Sequence, residues 1–233
     1  MKKQEEIDYQ AKREFLVALI HDLKNPIIAQ EKMIEMFLKL PDNTPLKDIK
    51  KILETSIQSN NEILKMLDDF LAIYHCEMSD FKVSTENINL EKITKEIIAQ
   101  FKYLLEEKNL KINLLAKKNI PETKAGKLEI KRVITNFIAN SINNSPESSE
   151  IKINLDKIDN ELLFKISNKC KECKKSEKEI FFNLYKTAKN RIGHGLGLFV
   201  SKKFIELHKG KIGVDIDDKN KISFFFYLPI TEN

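Results

Sequence analysis

Three polar clusters in this 233-residue chain combine the residue types and spacings that chemistry needs. The first, "LIHDLKNPII" at residues 19–28, sets His21 and Asp22 side by side inside an apolar stretch and follows them with Asn25 and Pro26. Pro26 has no N–H, so the carbonyl of Asp22 loses its helical partner and a kink is expected beside the histidine. The second, "RVITNFIANSINNSP" at 132–146, spaces Asn136, Asn140, Asn143 and Asn144 along one helix face, opposite Val133, Ile134, Phe137 and Ile138. Asparagine is an indifferent helix former. Its amide oxygen suits Mg²⁺, and a neutral polar wall suits a polyphosphate. The third, "GHGLGLFV" at 193–200, places Gly193, Gly195 and Gly197 at alternate positions and then opens a helix. Glycines let the backbone approach a phosphate closely, and the helix start behind them offers free N–H groups at the positive end of a dipole. Taken singly, each has a plainer reading: a surface histidine on a coiled coil, an exposed face in an Asn-rich chain, a tight loop.

Taken together and in this order, "HDLKNP", "NFIANSINNSP" and "GHGLGL" resemble the H, N and G2 boxes of bacterial two-component sensor histidine kinases. "EIFFNLY" looks like that family's F box, and "FFFYLPI" like its terminal strand. The resemblance implies a HisKA-type dimerisation and phosphoacceptor hairpin, followed by a Bergerat-type ATP-binding domain. It implies that His21 is the phosphorylated nucleophile, a role open to a neutral imidazole near pH 7. By the same likeness Asp22 orients the imidazole and takes its proton, and Asn25 assists water-driven dephosphorylation of the partner. Asn140 is the implied Mg²⁺ ligand, Asn136 and Asn144 line the nucleotide site, and Gly193, Gly195, Leu196, Gly197 and Leu198 form the phosphate loop. ATP and Mg²⁺ are the implied cofactors, and the receiver domain of a response regulator is the implied partner.

One stretch departs from the family pattern. Where a G1 loop of the form Asp-x-Gly-x-Gly is expected, residues 168–172 read "NKCKE", with Asn168 in the acidic place and no glycine. Asn168 can still accept a hydrogen bond from the adenine amino group, about 1 kcal/mol weaker than a charge-assisted one. With the loss of a glycine-only conformation, nucleotide binding is expected to be roughly ten- to a thousandfold weaker. Lys186 and Arg191 stand ready to supply positive charge to the phosphates. The alternative function is a histidine phosphotransfer protein with an inactive ATP domain. Cys170 and Cys173 read as free thiols rather than a zinc site, because two cysteines alone leave the metal short of ligands.

The elements that must position these groups follow from patterning. Leu16, Ile20, Leu23, Ile27, Gln30, Ile34 and Phe37 step by four and three, as a coiled-coil seam does. "LPDNTPLKD" breaks that helix, with Asp42 or Thr44 as a candidate cap, and a second seam runs through Ile49, Leu53, Ser56, Asn60, Ile63, Leu67, Phe70 and Tyr74. Two such helices cannot bury both flanks alone, so the hairpin of residues 1–79 is expected to form a homodimeric four-helix bundle. Residues 80–233 read as an α/β sandwich. The expected helices cover about 90–107, 128–145 and 196–208, with a short one around "EKEIFFNLY". The expected strands are "LKINLLA", "IKINLDKI", "ELLFKIS", "GKIGVDI" and "KISFFFYLPI", in a largely antiparallel sheet. With 42% hydrophobic residues the chain can bury a core, and its longest apolar runs are too short to cross a bilayer. Its 40 basic and 35 acidic residues are interleaved, which argues against nucleic acid as partner, and the short apolar runs lead to the expectation of a cytoplasmic protein.

Overall fold

The computed structural model describes residues 2–77, 83–170, 173, 181–182, 196–218 and 220–231, with residues 2–15 and 18 described by backbone alone. The chain separates into two compact units, the first helical to Tyr74 and the second beginning at His75. In the first, α1 (Lys2–Leu38) and α2 (Leu46–Glu77) are joined by a short turn. The Thr44 hydroxyl donates back to the Pro41 carbonyl at 2.6 Å, and the Asp48 N–H meets the Pro45 carbonyl at 2.9 Å as α2 begins. Leu16, Ile20, Ile27, Ile34 and Phe37 of α1 and Leu53, Leu67 and Tyr74 of α2 stand exposed, while Leu19, Met66, Ala72 and Ile73 are buried. The apolar seams are thus left open in the single chain.

The second unit contains β1 (Glu86–Ile88), α3 (Leu90–Gln100), α4 (Lys102–Glu107), β2 (Lys111–Ala116), β3 (Thr123–Ala125), α5 (Lys127–Asn144), β4 (Glu150–Ile158), β5 (Glu161–Lys169), α6 (Leu196–Leu207), β6 (Lys211–Ile216) and β7 (Lys221–Pro229). Five strands form one sheet in the order β2-β4-β5-β7-β6, parallel only between β2 and β4. β1 and β3 make a separate antiparallel ribbon.

Alternation along β5 and β7 builds the core. Leu162, Phe164 and Ile166 pair with Leu228, Phe226 and Phe224 on one sheet face. Phe137 of α5 sits 5.5–6.2 Å, ring to ring, from Phe164, Phe224 and Phe226. Each such fully buried side chain contributes about 1.5–3 kcal/mol, so α5 is held firmly where its asparagines must act. The expected helix over 90–107 is divided at Phe101, whose ψ of 5° takes it out of the helical range. Asn89 caps α3 by accepting from the Lys92 N–H at 2.9 Å. Lys131 of α5 reaches Glu96 of α3 at 2.9 Å, and this hydrogen bond and its charge hold the Glu96 carboxyl below the usual range.

Candidate functional site

α1 is helical without interruption through Pro26, and Pro26 itself is buried. His21 and Asn25 therefore lie one turn apart on one helix face, with both side chains exposed. The His21 side chain is 72% exposed and its Nδ1 lies 3.5 Å from Oδ1 of Asp22, the outer limit of a hydrogen bond. In the tautomer with its proton on Nδ1, that proton faces the carboxylate and the Nε2 lone pair is directed away from Asp22.

The asparagines of α5 divide by depth. Asn136 is buried, not opposite the apolar face as its spacing suggested but drawn to its edge beside Val133 and Phe137. Its Nδ2 donates to the Gly197 carbonyl at 3.0 Å and to the Ser201 hydroxyl at 3.3 Å, and Ser201 donates to the same carbonyl at 2.7 Å. A Cβ on Gly197 would stand 3.2 Å from three atoms of the Asn136 amide, so the glycine lets α6 close onto α5. Asn140 is half-buried and Asn143 and Asn144 are exposed; Nδ2 of Asn144 donates to the Asn140 carbonyl at 2.7 Å. The Asn140 amide itself has no hydrogen bond among the described residues, so its oxygen is available to a cation. Asn136, Gly197 and the neighbouring Leu198 are thus brought together, with Leu196 opening α6.

His208 fastens the other ends of these helices. The Gly126 N–H, at the N-cap of α5, donates to Nε2 of His208 at 2.7 Å, and Nδ1 lies 2.6 Å from the Phe204 carbonyl. Nε2 must be the bare nitrogen and Nδ1 the protonated one. Ser201 carried no sequence signal, because a small polar residue inside an apolar helix reads as tolerated filler.

At the end of β5, Asn168 is 2% exposed and pairs in register with Ile222 of β7. Its Nδ2 donates to the Lys169 carbonyl at 2.7 Å, while its Oδ1 has no partner among the described residues. An open buried acceptor fits a ligand that brings an N–H, as an exocyclic amine of a nucleobase does. The sulfurs of Cys170 and Cys173 are in contact, with Cα atoms 6.1 Å apart, a separation that a disulfide can span. Lys186, Arg191, Gly193 and Gly195 lie outside the described residues, as does the short helix expected around "EKEIFFNLY" apart from Phe181 and Phe182, which form a turn with both rings edge-on to Phe224. No group of three or more His, Cys, Asp or Glu placed to hold a metal occurs among the described residues, nor does a helix long and apolar enough to cross a membrane.

The α5–α6 junction of Asn136, Gly197 and Ser201 thus lies beside a mixed five-stranded sheet. Residues 126–232 match the family described as histidine kinase-, DNA gyrase B-, and HSP90-like ATPase. The chain is 23% identical over 212 residues to the heme sensor protein HssS of Staphylococcus epidermidis, covering 91% of this chain and 46% of HssS. It is 26% identical over 230 residues to the adaptive-response sensory kinase SasA of a Synechocystis species, covering 95% of this chain and 60% of SasA. The chain therefore spans about half the length of these curated relatives. The fold is shared with the histidine kinase AdeS of Acinetobacter baumannii, with a TM-score of 0.73, 17% identity and coverage of 91% and 98% of the two chains. It is also shared with the histidine kinase ThkA in its complex with the response regulator protein TrrA, at a TM-score of 0.72, 21% identity and coverage of 99% and 67%. The C-terminal part of the chain thus matches that ATPase family, and the chain over nearly its whole length is similar to sensory kinases.

Proposed function

We propose that the protein phosphorylates itself on His21 from Mg·ATP and passes the phosphoryl group to an aspartate in the receiver domain of a response regulator. The observation that carries this reading is His21 itself: an exposed imidazole with Nδ1 turned to Asp22 and Nε2 presented outward. As Nε2 attacks the γ-phosphorus, positive charge develops on the ring. Asp22 stabilises that charge and takes up the Nδ1 proton. Asn168 Oδ1 receives the adenine amino group, and Asn140 Oδ1 ligates Mg²⁺. Held there, the metal would supply positive charge to the phosphates. Asn25, one turn beyond His21, is placed to orient a water toward a phosphorylated regulator, which gives the same surface a phosphatase activity.

The exposed seams of α1 and α2 support a homodimer through the hairpin, where a second copy covers Leu16, Ile20, Ile27, Leu53 and Leu67. The domain division near residue 80, between phosphoacceptor and catalytic parts, and a cytoplasmic site of action belong to this reading. The alternative, a phosphotransfer protein whose ATP domain no longer turns over, is favoured by one observation: Asn168 supplies a neutral acceptor and no glycine stands between Gly126 and Gly193. Titration with Mg·ATP separates the two. Saturable binding in the micromolar to millimolar range supports the kinase, and its absence supports the phosphotransfer protein.

A further inference from the structure

Two buried side-chain oxygens of the second unit have no hydrogen-bond partner among the described residues: Oγ of Ser141 in α5 and Oδ1 of Asn168 in β5, the two residues being 1% and 2% exposed. A buried oxygen left unpaired costs stability and is explained where a ligand satisfies it. The hydroxyls of Thr55, Thr94, Ser145 and Ser201 each donate to the carbonyl four residues back, at 2.6–2.8 Å, and that of Ser141 does not. The two oxygens also belong to one end of the helix–sheet interface, because α5 runs in the direction of β5. Just before α5 begins, Thr123 donates to the Pro229 carbonyl at 2.8 Å, and Pro229 pairs with Glu161 where β5 begins. In its last turn the Ile142 carbonyl accepts from Nζ of Lys108 at 3.2 Å, and the Lys108 carbonyl accepts from the Ser148 N–H at 3.2 Å. Ser148 leads into β4, whose start lies beside the end of β5, Lys152 opposite Ser167. Phe137 packs on Phe164 and on Phe224, the strand partner of Ile166. Ser141 is one turn further along the same buried face of α5, and Asn168 is the next inward residue of β5.

We infer that Ser141 and Asn168 together read the edge of a nucleobase, Asn168 by accepting from an exocyclic amine and Ser141 by donating to the ring nitrogen beside it. This rests on the ATP-binding reading above and names Ser141 as a second specificity-determining residue of that site. The sense of the Asn168 amide is fixed. Its Nδ2 donates to the Lys169 carbonyl at 2.7 Å, and turning the amide over would set Oδ1 against that carbonyl. The open side of Asn168 therefore presents an acceptor, and the Ser141 hydroxyl supplies the donor. A 6-aminopurine offers the complement, an N–H donor next to an unprotonated N1. A 6-oxopurine offers the reverse, a carbonyl next to an N1–H, and brings its oxygen against Oδ1 of Asn168. Both residues are neutral, so the pair discriminates by leaving buried polar atoms unpaired with the wrong base rather than by charge.

The test is a calorimetric titration of the full chain with the Mg²⁺ complexes of ADP, of IDP and of 1-deaza-ADP, in which a C–H replaces N1. The wild type is expected to bind IDP at least about tenfold more weakly than ADP, and 1-deaza-ADP about five- to thirtyfold more weakly. Ser141→Ala should lose about five- to thirtyfold in affinity for ADP but no more than about twofold for 1-deaza-ADP, which has no N1 to receive the hydroxyl. The same substitution should leave the thermal unfolding midpoint unchanged or raise it by about one to four degrees, because it removes an unpaired hydroxyl from a helix in which alanine is the better residue. ADP affinity of Ser141→Ala within about twofold of the wild type overturns the role of Ser141, and so does an equal loss for ADP and 1-deaza-ADP. A midpoint lowered by more than about two degrees overturns it too, since the hydroxyl would then be serving the fold. Equal wild-type affinity for ADP and IDP overturns the role of Asn168. In each of these cases saturable ADP binding leaves the nucleotide reading intact, whereas no saturable binding of any of the three refutes that reading and the base filter with it. The comparison of nucleotides on the wild type needs no substitution, so a folding defect in the variant does not blur the result.

Discussion

Replacing Asn136 with alanine separates a residue that joins two helices from one that touches nucleotide. The side chain spends Nδ2 on the Gly197 carbonyl at 3.0 Å and the Ser201 hydroxyl at 3.3 Å. Asn136→Ala deletes these bonds, but Ser201 still donates to the Gly197 carbonyl at 2.7 Å, so that acceptor is not orphaned. The loss is then about 1 kcal/mol for the stronger bond and a further ~1 kcal/mol for the partly filled space, roughly 1.5–3 kcal/mol in all. Gly197→Ala brings a Cβ to 3.2 Å from the same amide. It should cost about 1 kcal/mol in strain, offset by several tenths from the better helix propensity of alanine. In the Asn136→Ala background the obstacle is gone and Gly197→Ala should become neutral or mildly stabilising, a coupling of about 1 kcal/mol. Urea unfolding of the wild type, both single variants and the double variant measures this cycle. The reasoning is refuted if the coupling is below about 0.3 kcal/mol, or if Asn136→Ala keeps its stability while nucleotide affinity falls more than about tenfold.

Three further outcomes follow from neighbouring contacts. His208→Ala leaves the Gly126 N–H at the start of α5 without its acceptor and should lower stability by about 1–3 kcal/mol in the same unfolding assay, whereas a surface substitution such as Lys209→Ala should not. The Glu96 carboxyl is held below its ordinary value by Lys131, so the pair's contribution is present above that ordinary value and fades as pH falls through the lowered one. Glu96→Gln should lower stability slightly above that window and leave it unchanged below, so the acid limb of a thermal-stability profile flattens by the same small amount, the pair being exposed. Asp22→Asn keeps the side chain's shape but removes the charge facing His21, and should slow histidine phosphorylation by roughly 10²- to 10⁴-fold without altering nucleotide affinity.

The long periodic elements were legible before any coordinates. α5, β4, β5 and β7 begin and end within about two residues of the patterns that announced them, because each buries one face and so must repeat with the period of its geometry. β1 and β3, of three residues each, carry too short a pattern to show a period. The division at Phe101 was hidden because the apolar positions on either side continue in phase. The residue types of Asn136 and Asn168 stood out in the sequence, and each is a polar group that the fold buries. Their partners did not. That Asn136 bonds Ser201 across 65 residues, and that His208 reaches Gly126 across 82, are facts of tertiary packing with no local signature. The contact between the Cys170 and Cys173 sulfurs had no sequence signature either, because two nearby cysteines look alike as thiols, as metal ligands or as a bonded pair.

The central claim is that His21 accepts a phosphoryl group from ATP bound in the α/β unit. Incubating the full chain with γ-labelled Mg·ATP and testing the label's stability addresses it most directly. The account predicts a label that is lost in acid and kept in base, that maps to His21, and that disappears in His21→Ala while nucleotide binding persists. A wild-type protein that binds nucleotide yet takes no label, or a label undiminished in His21→Ala, would contradict it.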